Sequence, residues 1–213
     1  RMAALAQRAV NDRWIDAKPA DGKRDGAFCM GVRPGRSLLL QTWKPSFGAV
    51  STLAHELGHA YHNFCLTDRT ALQREYPSTL AETASIFCET IICQAALKGA
   101  GKEESLAILE SQLQRCTQTV VDISSRFLFE REVFERRQDS ELSPNELCDV
   151  MSRAQEATYG DGLSDERHPY MWAAKPHYYS PWSFYNFPYM FGLLFSLGLY
   201  AKYQAEPKGF PER

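Results

Sequence analysis

Apolar positions recur along this chain mostly at helical spacing. From Val50 to Leu66, Leu53, Leu57, Ala60 and Phe64 follow one another at steps of four, three and four, which predicts a helix with one face turned to a core. A second helix is expected from about Leu80 to Leu97, and a third from Glu103 to about Arg137. In the third, Leu106, Leu109, Leu113, Cys116, Val120, Ile123 and Phe127 alternate spacings of three and four, as the seam between packed helices requires, and the stripe is read as core. Ser143-Pro144-Asn145-Glu146 offers a cap, a first-turn proline and a capping-box acid, so a helix should begin there and stop near Gly160. Met2 to Trp14 suits an opening helix, and a last one should run from Tyr189 to about Gln204, ending before Pro207. Only Ser37 to Trp43, bounded by Gly35 and Pro45, reads as a strand. Lys18 to Arg36 is punctuated by glycine and proline and reads as loop with short extended pieces, and another loop carries Gly160, Gly162 and Pro169. The expectation is a mainly α chain with one small β element, without internal repeats.

Composition narrows the setting. At 213 residues the chain can form one compact domain, 1–213. Its 24 basic and 26 acidic side chains nearly cancel and no Lys/Arg block stands out, so no nucleic-acid partner is expected. Cys29, Cys65, Cys88, Cys93, Cys116 and Cys148 form no CxxC pair and are read as reduced, mostly buried thiols. The apolar run Met190 to Leu199 is too short to cross a bilayer, so no membrane association is expected and the protein is read as soluble and cytoplasmic. The chain starts at Arg1, which suggests a portion of a longer or processed protein.

His55-Glu56-Leu57-Gly58-His59 is an HExxH motif, which sets two imidazoles one helical turn apart on one face, with Glu56 to the side. Catalytic zinc commonly takes three protein ligands, so a third donor must come from elsewhere. A metzincin would need a third His six residues after His59, and that position is Cys65. Glu82 is one candidate. Thr79-Leu80-Ala81-Glu82 equally fits a capping box, in which Glu82 would bond the Thr79 amide. Ser85 and Glu89 continue a polar stripe from Glu82 that suits either a metal-facing or a solvated face. His62 is read as a hydrogen-bonded helix histidine beside the site. Taken alone, the tract from His177 to Phe191 reads as an aromatic core cluster.

Thr52 to His62 resembles the active-site helix of the oligoendopeptidase F and thimet oligopeptidase family of zinc metallopeptidases, and Glu82-Thr83-Ala84-Ser85 with Glu89 resembles that family's second helix. Gly22 to Cys29 is similar to the segment ahead of the family's peptide-receiving edge strand, which would be Ser37 to Trp43. Pro176 to Tyr179 and Phe184 to Tyr189 resemble the tract that supplies a His and tyrosines to the active site, with Phe187 where another Tyr is common. The resemblance implies a zincin-like helical catalytic domain without the family's N-terminal lobe. It further implies one zinc per chain on His55, His59 and Glu82, and hydrolysis of short peptides by a zinc-bound water that Glu56 activates. His177, Tyr185 and Tyr189 would stabilise the oxyanion, and Trp172, Trp182, Phe184 and Phe187 would pack. The alternative is a zinc-stabilised fragment or peptide-binding module without turnover. Imidazole and carboxylate donors also accept cobalt or manganese.

Overall fold

The computed structural model describes residues 1–23, 26–163 and 167–210 and is mainly helical, as the periodicities predict. It divides into two compact units, Arg1–Ser111 together with Phe191–Arg213, and Gln112–Met190.

In the first unit, helix α1 (Met2–Asn11) buries Leu5 and Ala9, one turn apart on one face. The helix stops short of the expected Trp14 because Arg13 takes a left-handed backbone with φ of 55°, which turns Trp14 into the core. Trp14 packs there with Leu5, Ala9, Leu39 and Ala60, flanked by Leu53 and Leu57.

A small sheet comes next, built from β1 (Ile15–Asp16), β2 (Ala27–Arg33) and β3 (Arg36–Gln41) in the order β1-β3-β2. β1 runs parallel to β3, and β2 pairs with β3 antiparallel, Phe28 opposite Leu40 and Met30 opposite Leu38. Gly35, with φ of 70°, closes the β2–β3 turn. The strand expected at Ser37 to Trp43 therefore forms, but it is the central strand and not the edge. Pairing with β1 on one side and β2 on the other makes it central, and its alternation turns Ser37, Leu39 and Gln41 to the buried face. Among the described residues the edges are the two-residue β1 and the longer β2, which forms where loop with short extended pieces was expected because Gly26 and Gly31 punctuate the sequence. Phe28 and Met30 are each 52% exposed on that strand. Of the Gly22 to Cys29 segment, Arg24 and Asp25 lie outside the described residues.

Helix α2 (Phe47–Cys65) is capped by Ser46, whose hydroxyl accepts from the Ala49 amide at 3.1 Å. Two side-chain bonds fasten it to β3: Gln41 Nε2 donates to the Ala49 carbonyl at 2.9 Å, and Asn63 Nδ2 donates to Ser37 Oγ at 3.3 Å. Leu53, Leu57 and Ala60 face the core as expected, while Phe64 near the helix end is partly exposed. The helix expected from Leu80 to Leu97 is broken into α3 (Ser78–Ala81) and α4 (Thr83–Gly99), with Glu82 at the joint. Helix α4 makes the most extensive element-to-element packing in the chain, against α2.

The boundary between the units falls within α5 (Lys102–Thr117). A π-turn at Gln118–Asp122 separates it from α6 (Ile123–Arg136), so the expected single helix is interrupted. The stripe read as core there is buried at Ile123 but outward at Leu106, 69% exposed, Leu109, Leu113, 68% exposed, and Phe127, while Ile108, Ser125, Arg126 and Phe129, outside the stripe, are buried. Regular spacing places residues on a common face without specifying that the face has a partner, and the wider π-turn shifts the register of α6 relative to α5. Helix α7 (Pro144–Tyr159) opens with the expected capping box of Ser143 and Glu146 and ends at Gly160, with φ of 55°. In the second unit Phe129, Val150, Met151 and Ala154 form an apolar cluster against which Trp172 and Tyr178 pack. Short α8 (Met171–Ala174) comes after it, and α9 (Phe187–Ala205) closes the chain, opening two residues earlier than Tyr189. Trp182, read as a packing residue, is 70% exposed. All six cysteines are free thiols, and of these only Cys88 and Cys93 are fully buried.

Candidate metal centre

One helical turn on α2 brings His55 Nε2 and His59 Nε2 to 3.2 Å from each other. From the α3–α4 joint, Glu82 Oε2 reaches 3.1 Å from His55 Nε2 and 3.4 Å from His59 Nε2. Tetrahedral zinc with ligands at its usual distances separates neighbouring donor atoms by about 3.3 Å. The three donor atoms thus converge at a spacing suited to one ion, and they could hold a metal. The capping alternative for Glu82 is not what forms, because the N-cap of α3 is Pro77 rather than Thr79 and no side chain caps it. The Glu82 carboxylate turns instead toward the histidines and Ser85, whose Oγ lies 2.8 Å from Glu82 Oε2 and 2.9 Å from the Glu82 carbonyl.

The polar stripe on α4 faces inward, with Ser85 fully buried and Glu89 8% exposed. Glu89 Oε1 pairs closely with His55 Nδ1. A carboxylate in that position holds the proton on Nδ1, fixes the ring, and leaves the Nε2 lone pair for a metal. Sequence reading placed Glu89 on the right face without giving it a partner; the seven-residue spacing from Glu82 was the signal.

Gly58, between the two histidines, is where α2 presses on α4. A Cβ there would stand 2.6 Å from Ser85 Cα and 2.7 Å from the Ala84 carbonyl oxygen, so no larger residue fits without moving backbone. This close approach carries Glu82 and Glu89 to the histidine face.

Glu56 is 5% exposed, and its Oε2 is buried without a hydrogen-bond partner. Burial raises its pKa; His55 and His59 pull it down, and Glu82 adds to the rise. A buried carboxylate oxygen lacking a donor is costly, and its place beside three converging ligands fits a site whose occupants complete the hydrogen bonding. Burial also pushes the Glu82 pKa upward, but hydrogen bonds and charge from His55 and His59 outweigh it and hold the carboxyl well below its ordinary range. The His62 ring lies tilted against Tyr76, centroids 4.4 Å apart, and its Nδ1 is buried without a hydrogen-bond partner.

In the second unit, His177 lies on a 3₁₀ turn (Pro176–Tyr179), and its ring stacks on Tyr185 at 5.2 Å. Burial lowers the His177 pKa, and the charges of Arg126 and Lys175 lower it further. Next to Tyr185, Phe184 has φ of 53°, a left-handed conformation costly for an aromatic residue. Its N–H donates to Glu130 Oε1 at 2.6 Å, and its ring packs between Phe127 and Phe134. On the other side of Tyr185, Asn186 accepts from Arg126, which pairs with Asp122. Tyr189 stands in the first turn of α9. Each unit thus assembles its own part of the expected constellation: His55, Glu56, His59 and Glu82 in the first, His177 and Tyr185 in the second.

The profile of peptidase family M3 matches residues 2–210, which includes every one of these positions. The chain belongs to peptidase family M3. Among curated M3-like relatives, it is 33% identical over 190 residues to the chromosomal oligoendopeptidase F of Lactococcus lactis subsp. cremoris, covering 86% of this chain and 31% of the relative. It is 27% identical over 198 residues to oligopeptidase PepF of Bacillus subtilis, covering 89% and 29%. The chain thus spans about a third of the length of these relatives. In fold it is similar to the solved structure of PZ peptidase A with an inhibitor, with a TM-score of 0.77 at 17% identity over 97% of this chain and 37% of that one. A chain from Chlamydophila abortus gives a TM-score of 0.75 at 23% identity, covering 99% and 36%.

Proposed function

We propose that this M3 chain is the catalytic portion of a zinc endopeptidase acting on short peptides, with His55, His59 and Glu82 as metal ligands and Glu56 as general base. The observation that carries the reading is the convergence of three donor atoms beside a buried, unpartnered Glu56 oxygen. A bound divalent ion supplies Lewis acidity, polarising the scissile carbonyl and lowering the pKa of water. Glu56, its basicity raised by burial, takes the proton from the attacking water and passes it to the leaving amine. Glu89 keeps His55 in the ligating tautomer. His177, Tyr185 and Tyr189 are assigned to the oxyanion, where loss of one donor costs about 10²–10³ in rate. The open edge of β2 suits an extended peptide, because backbone pairing is indifferent to side chains. Cys29 on that strand lies within the electrostatic reach of Glu56. The free cysteines support a reducing, cytoplasmic setting.

Glu56→Gln should retain about one zinc per chain by elemental mass spectrometry and lose turnover of a quenched fluorescent peptide by about 10²-fold or more. Unimpaired turnover in that variant excludes Glu56 as base. A second reading is a metal-stabilised peptide-binding module without turnover of its own, resting on the same three converging donors. Intact peptide after prolonged incubation with the zinc-loaded chain would select it.

A further inference from the structure

Glu82 does not sit on a continuous helix. With φ of −94° and ψ of −1° it forms the joint between α3 and α4, so helical hydrogen bonding alone does not fix the direction of its side chain. Two features of α9 meet that joint. A Cβ on Gly192 would lie 2.9 Å from both the carbonyl carbon and the Cβ of Glu82, and 3.0 Å from its carbonyl oxygen. One turn later on the same face, the hydroxyl of Ser196, fully buried, donates to the Thr83 carbonyl at 2.7 Å. Gly198, farther along α9, meets nothing within 4 Å, so close approach is a property of one position and not of every glycine in the helix.

We propose that Gly192 and Ser196 are positioning residues that set Glu82 as the third metal donor. The inference rests on the ligand assignment above. Ser85 orients the carboxylate relative to α4, and Gly58 sets the separation of α2 from α4. Neither meets the Glu82 and Thr83 backbone from the side of α9. Gly192 lets α9 lie directly on the Glu82 backbone, and Ser196 ties the following carbonyl to the same helix. Metal geometry tolerates displacements of about 0.5 Å, and a methyl group forced between α9 and Glu82 exceeds that.

The test is the zinc dissociation constant, read by competition with a chromophoric chelator and paired with thermal melts of the metal-free chain. The variants are Glu82→Gln, Gly192→Ala, Ser196→Ala, Gly198→Ala and the neighbouring core variant Leu193→Ala. Gly192→Ala and Ser196→Ala should weaken zinc by about 10-fold or more, the range found when groups that orient a ligand are removed, while Gly198→Ala and Leu193→Ala stay within about twofold. Native affinity in Gly192→Ala and Ser196→Ala, alongside weakened binding in Glu82→Gln, overturns the positioning role alone. Native affinity in Glu82→Gln overturns the ligand assignment beneath it. Equal weakening in Leu193→Ala shows general loosening of α9 and overturns the proposal. Should Gly192→Ala fail to fold, Ser196→Ala decides, and native affinity there overturns it.

Discussion

Two helix pairs, α2 with α4 in the first unit and α6 with α7 in the second, solve the same packing problem with opposite materials. Between α6 and α7 the interior is Phe129, Val150, Met151 and Ala154, and among the described residues of that unit the buried charges are Asp122, in the π-turn, and Arg126 one turn later. On α2 and α4, Glu56, Ser85, Glu89 and Thr90 are buried along with Ala54, Ile86, Cys88 and Cys93, and at Gly58 the two helices approach backbone to backbone. Each buried carboxylate costs desolvation that only specific partners offset. The first pair thus gives up packing energy to hold donors in place, and the second recovers stability through apolar burial. The difference separates what holds the fold from the residues proposed to perform chemistry.

The sharpest way to break the comparison is to strike charge in the second unit. Asp122→Asn strands the Arg126 guanidinium, which is 4% exposed, and should cost about 3–5 kcal/mol in urea unfolding without changing zinc affinity. A loss of zinc binding there would show that the units do not divide labour as described. Glu89→Gln, in the first unit, should do the reverse: about 10–100-fold weaker zinc binding by chelator competition with little change in the metal-free melt. Ser143→Ala removes the α7 capping box and should lower stability by about 1 kcal/mol, again with native zinc affinity.

The smallest effect concerns pH. The His177 pKa is depressed from its ordinary 6.5, chiefly by burial and then by Arg126 and Lys175. The unfolded chain then takes up the proton more readily, so the contribution of neutral His177 to stability is present above pH 6.5 and is lost as pH falls below it. Melting temperature should decline on acidification through that window, with a shallower slope in His177→Gln.

Much of this division was legible in the sequence. HExxH on a helix fixes the relative placement of His55, Glu56 and His59 by covalent geometry and helical pitch alone, and the capping box at Ser143 is equally local. Glu82 was legible only as one of two alternatives, because a cap and a ligand need the same residue at the same helix start. What escaped was set by tertiary contacts: the break at Glu82, the central place of β3, the π-turn, and the outward stripe of Leu106 and Leu113. Spacing determines which residues share a face; it does not determine what lies opposite.

The joint at Glu82 also bears on how this polypeptide behaves before it folds. By length and apolar content, the 22 residues from Ser78 to Gly99 would qualify as a bilayer-crossing segment. Of its two carboxylates, Glu89 stands near the middle of that stretch and Glu82 near its start, and a charge near the middle of a span adds on the order of 3 kcal/mol to insertion. The carboxylates that face the histidines thus also oppose entry of this segment into lipid.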